Sequence, residues 1–466
     1  MQNRRDFLQK VAGALILYGC QNKRNTGRQV VEGEEWRNDD AGITAAGANF
    51  KLTEALQEQV NAGIDKHRKG NFTLRFVDKE GQALTGYKLK ADLAAHAFDW
   101  GQSGARNLYE LDDRDQKVTK LIRELFNCTT AKCYWDERWH QPIEHEEGRR
   151  IYDLFEGEIA WGLANGLRVK GHPLVWTVRK AIPEWMDKYA YQEQMVKLEN
   201  HVRDLIRVGH QVNLWDLCNE MLWEPSLRHL PQRNWPHLEP IDEILTYLEP
   251  AVHWAKDENP NAIYALNDYG LVDTTAPGVT SAQQRSRYVE LVQEMHRRGC
   301  APDAMGTQCH VASWYSAQEF TTHLQELSEG GLPIQVTEFW ARPKDNPFIE
   351  QMNAQEQQQA LNDYVEMIYS LAFAHPQVSH VTYWGSREWF DEDGNATPLY
   401  QAIYQLIKSK WHTSESMTTN AEGEVAFQGF YGDYNLQITD PGGNMHPAFL
   451  NLGHTNKSAE FMLSGV

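Results

Sequence analysis

From about residue 72 onward, short runs of β-forming residues alternate with longer segments of helical periodicity. Eight of these runs are predicted to be strands, at residues 97–100, 126–130, 169–174, 212–219, 263–267, 304–308, 334–338 and 380–384. Between them, apolar residues recur every three to four positions, as at 149–165, 192–208, 284–298 and 356–374. This alternation predicts an α/β fold in which eight strand–helix units form a (β/α)8 TIM barrel. A doubly wound open sheet is the alternative, but no Gly-x-Gly-x-x-Gly turn follows the first strand, which disfavours its dinucleotide-binding form.

Two flanking segments lie outside this pattern. Residues 72–86 and 424–439 each alternate apolar and polar residues around a turn, so each is predicted to form a β-hairpin. Because a lone hairpin is marginal in water, we expect the two ends of the chain to pair into one small β-sheet against the barrel. Independent edge decorations are the alternative. The predicted boundaries are a β/helix extension at 50–95, the barrel at 96–411 and a C-terminal β segment at 412–466.

The first twenty residues have the layout of a cleaved bacterial export signal. Paired arginines, Arg4 and Arg5, precede an apolar segment that stops at Cys20. The arginine pair is similar to a twin-arginine signal, and the segment's end is similar to a lipoprotein cleavage box in which Cys20 is acylated; a plain signal with an incidental cysteine is the alternative. Residues 21–49 are polar and suit a tether. We expect an exported lipoprotein, periplasmic or at the cell surface, whose membrane contact is the lipid on Cys20.

Charge and hydropathy exclude several classes of partner. With 45 Lys and Arg against 64 Asp and Glu, the formal charge of −19 repels a phosphate backbone, so no nucleic acid is expected to bind. No apolar run approaches the roughly 20 residues that cross a bilayer, so the mature protein is not expected to span a membrane. Five cysteines follow Cys20, and this odd number indicates no disulfide framework.

Polar side chains stand at the ends of six predicted strands, where a barrel of this kind carries its chemistry. The six strand ends read Gly171-His172-Pro173-Leu174-Val175-Trp176, Trp215-Asp216-Leu217-Cys218-Asn219-Glu220, Leu266-Asn267-Asp268-Tyr269, Gly306-Thr307-Gln308-Cys309-His310, Val336-Thr337-Glu338 and Tyr383-Trp384-Gly385. Glu220 and Glu338 finish strongly apolar strands, where a carboxylate is unfavourable unless it is hydrogen-bonded or functional. Either glutamate alone fits a structural ion pair, but the six strand ends together favour a site.

Paired carboxylates across a cleft are what cleavage of a glycosidic bond requires. One carboxyl group stays protonated to donate to the departing oxygen, and the other stays ionised to attack the anomeric carbon. Aromatic rings stack on the apolar face of a sugar, and amide and imidazole groups bind its hydroxyls. The six strand ends supply all of these groups, which favours a carbohydrate-active enzyme.

As a set, these motifs resemble those of glycoside hydrolase family 10, the retaining β-1,4-xylanases. The resemblance spans residues 98–389 and implies that Glu220 is the general acid/base and Glu338 the nucleophile. It also implies that Asn219 binds the 2-hydroxyl of the sugar at the cleavage point and that His310 hydrogen-bonds Glu338. The other residues predicted to bind substrate are His172, Trp176, Asn267, Gln308 and Trp384.

One segment departs from the family pattern. After the second strand the family usually carries Glu-Asn-x-x-Lys-Trp, whereas this chain has Lys132-Cys133-Tyr134-Trp135-Asp136. Lys132 and Asp136 are therefore predicted to bind substrate with inverted charges, which can change preference among sugars. A hydrolase of another β-linked polysaccharide, a non-catalytic carbohydrate-binding barrel and an envelope scaffold protein are the alternatives to a xylanase.

The remaining motifs favour simple interpretations. The spacing of Cys128, Cys133, His140 and His145 is not a compact zinc pattern, so no metal and no cofactor is expected. Trp176, Trp314, Trp340 and Trp389 follow strand ends and are candidate sugar-stacking platforms. We expect a monomer with a polysaccharide or oligosaccharide as its substrate.

Overall fold

The computed structural model describes residues 50–463 except 104–111, 138–139, 224–226, 228–237, 273–277 and 311–313. The predicted export signal, Cys20 and the tether at 21–49 lie outside the described residues. No helix in the described part of the chain is long and apolar enough to cross a bilayer.

The described elements follow one another in the predicted alternation. The helices are α1 (Glu54–Arg68), α2 (Asp113–Leu125), α3 (Asp153–Ala164), α4 (Tyr191–Val208), α5 (Ile241–Glu258), α6 (Ser281–Arg298), α7 (Ala317–Ser328), α8 (Pro347–Glu350), α9 (Ala354–Ala374) and α10 (Pro398–Gln405). The strands are β1 (Lys69–Val77), β2 (Lys88–His96), β3 (Asp99–Gln102), β4 (Cys128–Lys132), β5 (Arg168–His172), β6 (Val175–Trp176), β7 (Leu214–Asn219), β8 (Ile263–Asp268), β9 (Ala304–Thr307), β10 (Ile334–Phe339), β11 (Val378–Tyr383), β12 (Ser414–Thr418), β13 (Glu424–Phe430), β14 (Gly432–Thr439), β15 (Met445–Leu452) and β16 (Ser458–Met462). Short 3₁₀ turns occupy Glu184–Lys188 and Pro343–Asp345, and a π-helical turn, Leu406–Lys410, follows α10.

Eight parallel strand positions close into a barrel in the order β3, β4, β5, β7, β8, β9, β10 and β11. Pairing of β11 with β3 closes the ring, which excludes the open-sheet alternative and confirms the (β/α)8 prediction. The third position is interrupted, because β5 pairs with the first half of β7 and β6 pairs with its second half. Each of the eight predicted strands overlaps an observed strand at the matching position of the barrel.

Local sequence explains why these elements form. Strands β7 and β10 are buried at every residue, as expected for parallel strands covered by helices outside and by the barrel core inside. Capping boxes begin three helices, with Thr280 and Gln283 at α6, Ser316 and Glu319 at α7, and Asn353 and Glu356 at α9. Each box satisfies main-chain N–H groups that the first helical turn leaves unpaired.

The two flanking segments do pair, but in two sheets and not in one. Strand β1 pairs with β13 and β16 in a three-stranded sheet, while β2, β12, β14 and β15 form a four-stranded sheet. Residues 76–84 do turn back as a short antiparallel hairpin, with the Leu84 N–H donating to the Phe76 carbonyl at 2.9 Å. The second hairpin and the single sheet are wrong, although the association of the two chain ends is confirmed. Only Tyr431 separates β13 from β14, and one residue is too short for a two-residue hairpin loop, so the chain passes into the second sheet instead.

Arg68, the last residue of α1, joins this appendage to the barrel. Its buried guanidinium donates to the main-chain carbonyls of Phe373, His375 and Val378, where α9 ends and β11 begins. The bonds to Phe373 and Val378 measure 2.5 and 2.7 Å. Hydrogen bonds from a charged donor to the end of a helix satisfy carbonyls that have no partner within the helix.

Candidate active site

The two predicted catalytic glutamates stand at the carboxyl ends of β7 and β10. Glu338 lies within β10, and Glu220 follows β7 directly. The backbone of Glu220 has a φ of 59°, in the left-handed region that a residue with a Cβ enters at a cost. A hydrogen bond of 2.8 Å from its main-chain N–H to the carbonyl of Asn267 helps to hold that conformation. The strained backbone therefore sets the direction in which the Glu220 side chain leaves the end of β7, and hydrogen bonds from Trp176 and Gln308 hold its carboxyl group.

A network of three amide side chains connects the two carboxyl groups. Gln308 Nε2 donates to Glu220 Oε1 at 3.0 Å and to Asn219 Oδ1 at 3.1 Å. Asn267 Nδ2 donates to Glu338 Oε1 at 2.8 Å and to the same Asn219 Oδ1 at 2.9 Å. The amide oxygen of Asn219 is thus occupied by two donors, which directs its NH₂ group away from the network.

The environment of Glu220 favours its protonated form. Burial raises the pKa of Glu220, and the nearby negative charge of Glu338 raises it further. Hydrogen bonds from Gln308 and from Trp176 Nε1, the latter at 2.9 Å to Oε2, oppose this rise but do not cancel it. A half-buried carboxyl group with a raised pKa is suited to donate a proton.

The environment of Glu338 favours its ionised form. Its residue is only 5% exposed, and this burial acts to raise its pKa. His310 outweighs the burial through a 2.7 Å contact from Nε2 to Oε2, and His172 adds to the effect with its Nε2 at 3.9 Å from Oε1. The net pKa of Glu338 is lowered, so the two carboxyl groups are pushed toward opposite protonation states.

His172 is oriented by a buried ion pair beneath the site. Its Nδ1 lies 2.8 Å from Asp216 Oδ2, and the other oxygen of Asp216 lies 2.6 Å from Lys170 Nζ. Burial works to raise the pKa of Asp216, but Lys170 and His172 lower it overall. Sequence reasoning did not assign roles to Lys170 and Asp216; their signal was a charged residue inside each of two apolar strands that end in site residues.

Aromatic rings complete the walls of the site. Trp384 packs edge-on against His172 with 5.5 Å between ring centroids, and Trp340 lies 5.1 Å from His310. Trp176 and Trp340 are half-buried beside the carboxyl groups or their partners, as expected of stacking platforms.

Two of the four tryptophans proposed as platforms lie elsewhere. Trp314 is 3% exposed and stacks on Tyr364 at 4.5 Å, and Trp389 is fully buried 5.0 Å from Tyr383. Both rings belong to the core, so that prediction is wrong for Trp314 and Trp389. Following a strand end does not decide whether a ring turns toward the cleft or toward the helices.

Residues 132–136, the segment that differs from the family pattern, lie only partly in the site. Lys132 is buried, and its ammonium donates to the carbonyl of Ser103 at 2.8 Å and lies 5.2 Å from the centre of the Trp384 ring. Asp136 Oδ1 instead lies 2.7 Å from His145 Nδ1, and no contact within the described residues joins it to the two glutamates. The structure therefore places Lys132 in the site and Asp136 outside it.

Metal-binding geometry is absent from the part of the chain that the structure describes, since no group of three or more His, Cys, Asp or Glu side chains gathers there. The five described cysteines are buried free thiols, and burial raises the pKa of Cys133 and of Cys218, next to the site. Thiols of this kind are poor nucleophiles, which disfavours a catalytic cysteine at this site.

Comparisons with known proteins agree with this geometry. Residues 91–406 match the model of glycosyl hydrolase family 10. The chain is 24% identical over 412 residues to the anti-sigma-I factor RsgI6 of Acetivibrio thermocellus, covering 85% of this chain and 48% of that protein. It is 25% identical over 333 residues to endo-1,4-beta-xylanase B of Thermotoga neapolitana, covering 66% of this chain and 88% of that one. The chain thus spans about half the length of the first relative and most of the second.

Among solved structures, xylanase 10B from Thermotoga petrophila RKU-1 in complex with xylobiose superposes with a TM-score of 0.52 at 21% identity. The match covers 67% of this chain and 95% of that one, and at this identity it supports the fold alone. The family match takes in the whole barrel ring, including the strand ends that carry Glu220 and Glu338. This chain therefore belongs to glycosyl hydrolase family 10.

Proposed function

We propose that this protein is a retaining glycoside hydrolase that cleaves β-1,4-linked, xylan-type plant polysaccharide by a two-glutamate double displacement. The observation that carries the proposal is that two carboxyl groups held in one hydrogen-bonded network have pKa shifts in opposite directions. The pKa of Glu220 is raised and that of Glu338 is lowered, each by identified neighbours. Glycosidic cleavage requires one acid and one carboxylate in this relation.

Each residue then has a defined step. Ionised Glu338 attacks the anomeric carbon while Glu220 donates its proton to the departing oxygen, which leaves a sugar covalently bound to Glu338. Glu220, now ionised, removes a proton from water, and that water attacks the anomeric carbon and frees Glu338. The NH₂ group of Asn219, directed away from the amide network, is the donor that we assign to the 2-hydroxyl of this sugar.

Support for xylan as the substrate comes from relatives named as endo-1,4-beta-xylanases, and Lys132 is the main departure from their pattern. A second candidate is a hydrolase of another β-linked polysaccharide, which the ammonium of Lys132 beside Trp384 favours. A third is a sugar-binding barrel without turnover, because one relative is named as an anti-sigma-I factor. The intact Glu220 and Glu338 pair favours catalysis over binding alone.

Product release from β-1,4-xylan, glucuronoxylan, arabinoxylan and mixed-linkage glucan, measured beside Glu338→Gln, tests the proposal. We expect oligosaccharides from a xylan, no release by the variant, and a first product that retains the β-configuration by NMR. Release from glucan alone would assign another polysaccharide, and binding without release would favour the non-catalytic barrel. An inverted first product would refute the double displacement.

We also propose that the protein is exported as a lipoprotein and acts as a monomer. The support is the sequence layout in which Arg4 and Arg5 precede an apolar segment ending at Cys20. Incorporation of labelled fatty acid into wild type but not into Cys20→Ala, with release of the variant from membranes, is the expected result. Equal labelling of both would refute acylation at Cys20. The molar mass of the mature protein, measured by light scattering, tests whether it is a monomer.

A further inference from the structure

Tyr134 lies beside the candidate active site, and the proposed reaction assigns no step to this residue. It lies two residues after β4, where its main-chain carbonyl accepts from Ile143 N at 2.9 Å. Its ring stands perpendicular to the His172 ring at 5.6 Å and packs at 46° against Trp176 at 5.4 Å. The residue is only 6% exposed, so its ring position is set by packing.

Two of the three rings that Tyr134 contacts belong to opposite halves of the site, and the third is the His140 ring at 4.9 Å. Trp176 donates to Glu220 at 2.9 Å, and His172 Nε2 lies 3.9 Å from Glu338. The Tyr134 ring therefore bridges the acid side and the nucleophile side. After burial, the charges of Glu338 and Glu220 are the two largest influences that raise the pKa of this phenol.

The hydroxyl group of Tyr134 has no hydrogen-bond partner among the described residues. It is also not one of the side-chain oxygens that are sealed from solvent without a partner, so it keeps some exposure to solvent. A phenol on a largely buried ring needs a partner once a ligand has displaced water, because an unsatisfied donor is unfavourable. A bound sugar is the molecule that supplies acceptors at this point.

We propose that Tyr134 is a substrate-binding residue whose hydroxyl donates a hydrogen bond to a hydroxyl group of the sugar unit held between Glu220 and Glu338. The proposal rests on the proposed function and adds a specificity contact that the strand-end motifs do not contain. Since burial and the two carboxylates keep the pKa of Tyr134 well above its usual value, the phenol remains a donor throughout the working pH range.

The test is Tyr134→Phe, which removes one oxygen and leaves the ring against His172 and Trp176. With an aryl β-xylobioside, kcat/KM is expected to fall about 10- to 100-fold while the melting temperature stays unchanged, because a site built to bind a hydroxyl loses that much when the pair is broken. Substrates deoxygenated at position 2 or 3 of the reacting sugar identify the partner. At one of these positions, removal of the hydroxyl group is expected to lower kcat/KM of the wild-type enzyme. The same removal should not lower kcat/KM of Tyr134→Phe any further.

Tyr264→Phe is the matched control, because Tyr264 lies near the start of β8 and the site lies at the carboxyl end of that strand. The buried hydroxyl of Tyr264 donates to the carbonyls of Ala255 and Asn259 at 2.7 and 3.0 Å. We expect Tyr264→Phe to lower the melting temperature and to leave kcat/KM unchanged. Unchanged kcat/KM in Tyr134→Phe, or no coupling at either deoxygenated position, would overturn the proposal.

Calorimetric binding of xylotetraose separates this inference from the proposed function. If the wild-type protein binds xylotetraose but does not cleave it, the proposed hydrolysis is wrong. The affinity of Tyr134→Phe for xylotetraose then tests the Tyr134 contact by itself. Weaker binding by about tenfold or more would support the contact, and equal binding would overturn it. Failure of wild type to bind would overturn both.

Discussion

The 2.7 Å contact between His310 Nε2 and Glu338 Oε2 predicts how activity depends on pH. His310→Phe keeps a ring beside Trp340 but removes the ring nitrogen that faces Glu338. Burial raises the pKa of Glu338 and His310 lowers it, so loss of His310 lets this pKa rise. The acidic limb of the kcat/KM profile reports protonation of Glu338, so this limb moves to higher pH.

The expected size follows from the contact. A hydrogen bond to a charged group contributes about 1.5–3 kcal/mol, and we take the lower part, about 1.5–2 kcal/mol, because the His310 side chain is 33% exposed and solvent screens it. At roughly 1.4 kcal/mol per factor of ten, the affinity of Glu338 for a proton rises about 10- to 30-fold. On the acidic limb, where rate follows the ionised fraction of Glu338, kcat/KM falls by the same factor.

Initial rates on an aryl β-xylobioside across the pH range of the folded protein measure this change. His310→Gln is the control, since an amide can still donate to Glu338 without a charge and should give an intermediate profile. The alkaline limb, which reports deprotonation of Glu220, should move little in either variant. An acidic limb of His310→Phe that coincides with wild type, in a variant of unchanged melting temperature, would refute the assignment of Glu338 as the ionised nucleophile held by His310.

Three further variants test the supports of the site. Asp216→Asn leaves the ammonium of Lys170 buried without its carboxylate and should cost about 3–5 kcal/mol in urea unfolding; a loss under about 1 kcal/mol would contradict the ion pair. Arg68→Met removes three hydrogen bonds between the appendage and the barrel and should destabilise the protein by about 3 kcal/mol with kcat unchanged, measured by unfolding and by initial rates. Lys132→Met keeps the aliphatic stem beside Trp384 but removes the charge, so kcat/KM on xylotetraose should fall about fivefold or more without loss of melting temperature, and an unchanged rate would place Lys132 outside substrate binding.

The barrel itself was predictable from the sequence. Strands buried on both sides give short apolar runs, and helices on the outside give a three-to-four-residue period, so both signals are local and survive without knowledge of the fold. The polar residues at the ends of those runs were predictable for the same reason. Closure of the barrel brings all the carboxyl ends to one rim, which places His172, Asn219 and Gln308 beside the two glutamates.

Contacts between distant segments were decided by the tertiary structure. The segment at 424–439 alternates as a hairpin does, yet β13 and β14 lie in different sheets, where they pair with β1 and β2 from the other end of the chain. The same holds for rings and charges after strand ends: Trp314 and Trp389 turn into the core, and Asp136 turns to His145.

The sequence by itself determined the strand and helix order and the pair of glutamates, because periodicity and strand-end residues are properties of neighbours along the chain. The fold decided the neighbours that raise the pKa of Glu220 and lower that of Glu338, and it decided where Tyr134 lies. A pKa depends on burial and on charges within a few ångströms, and those neighbours come from strands far apart in sequence.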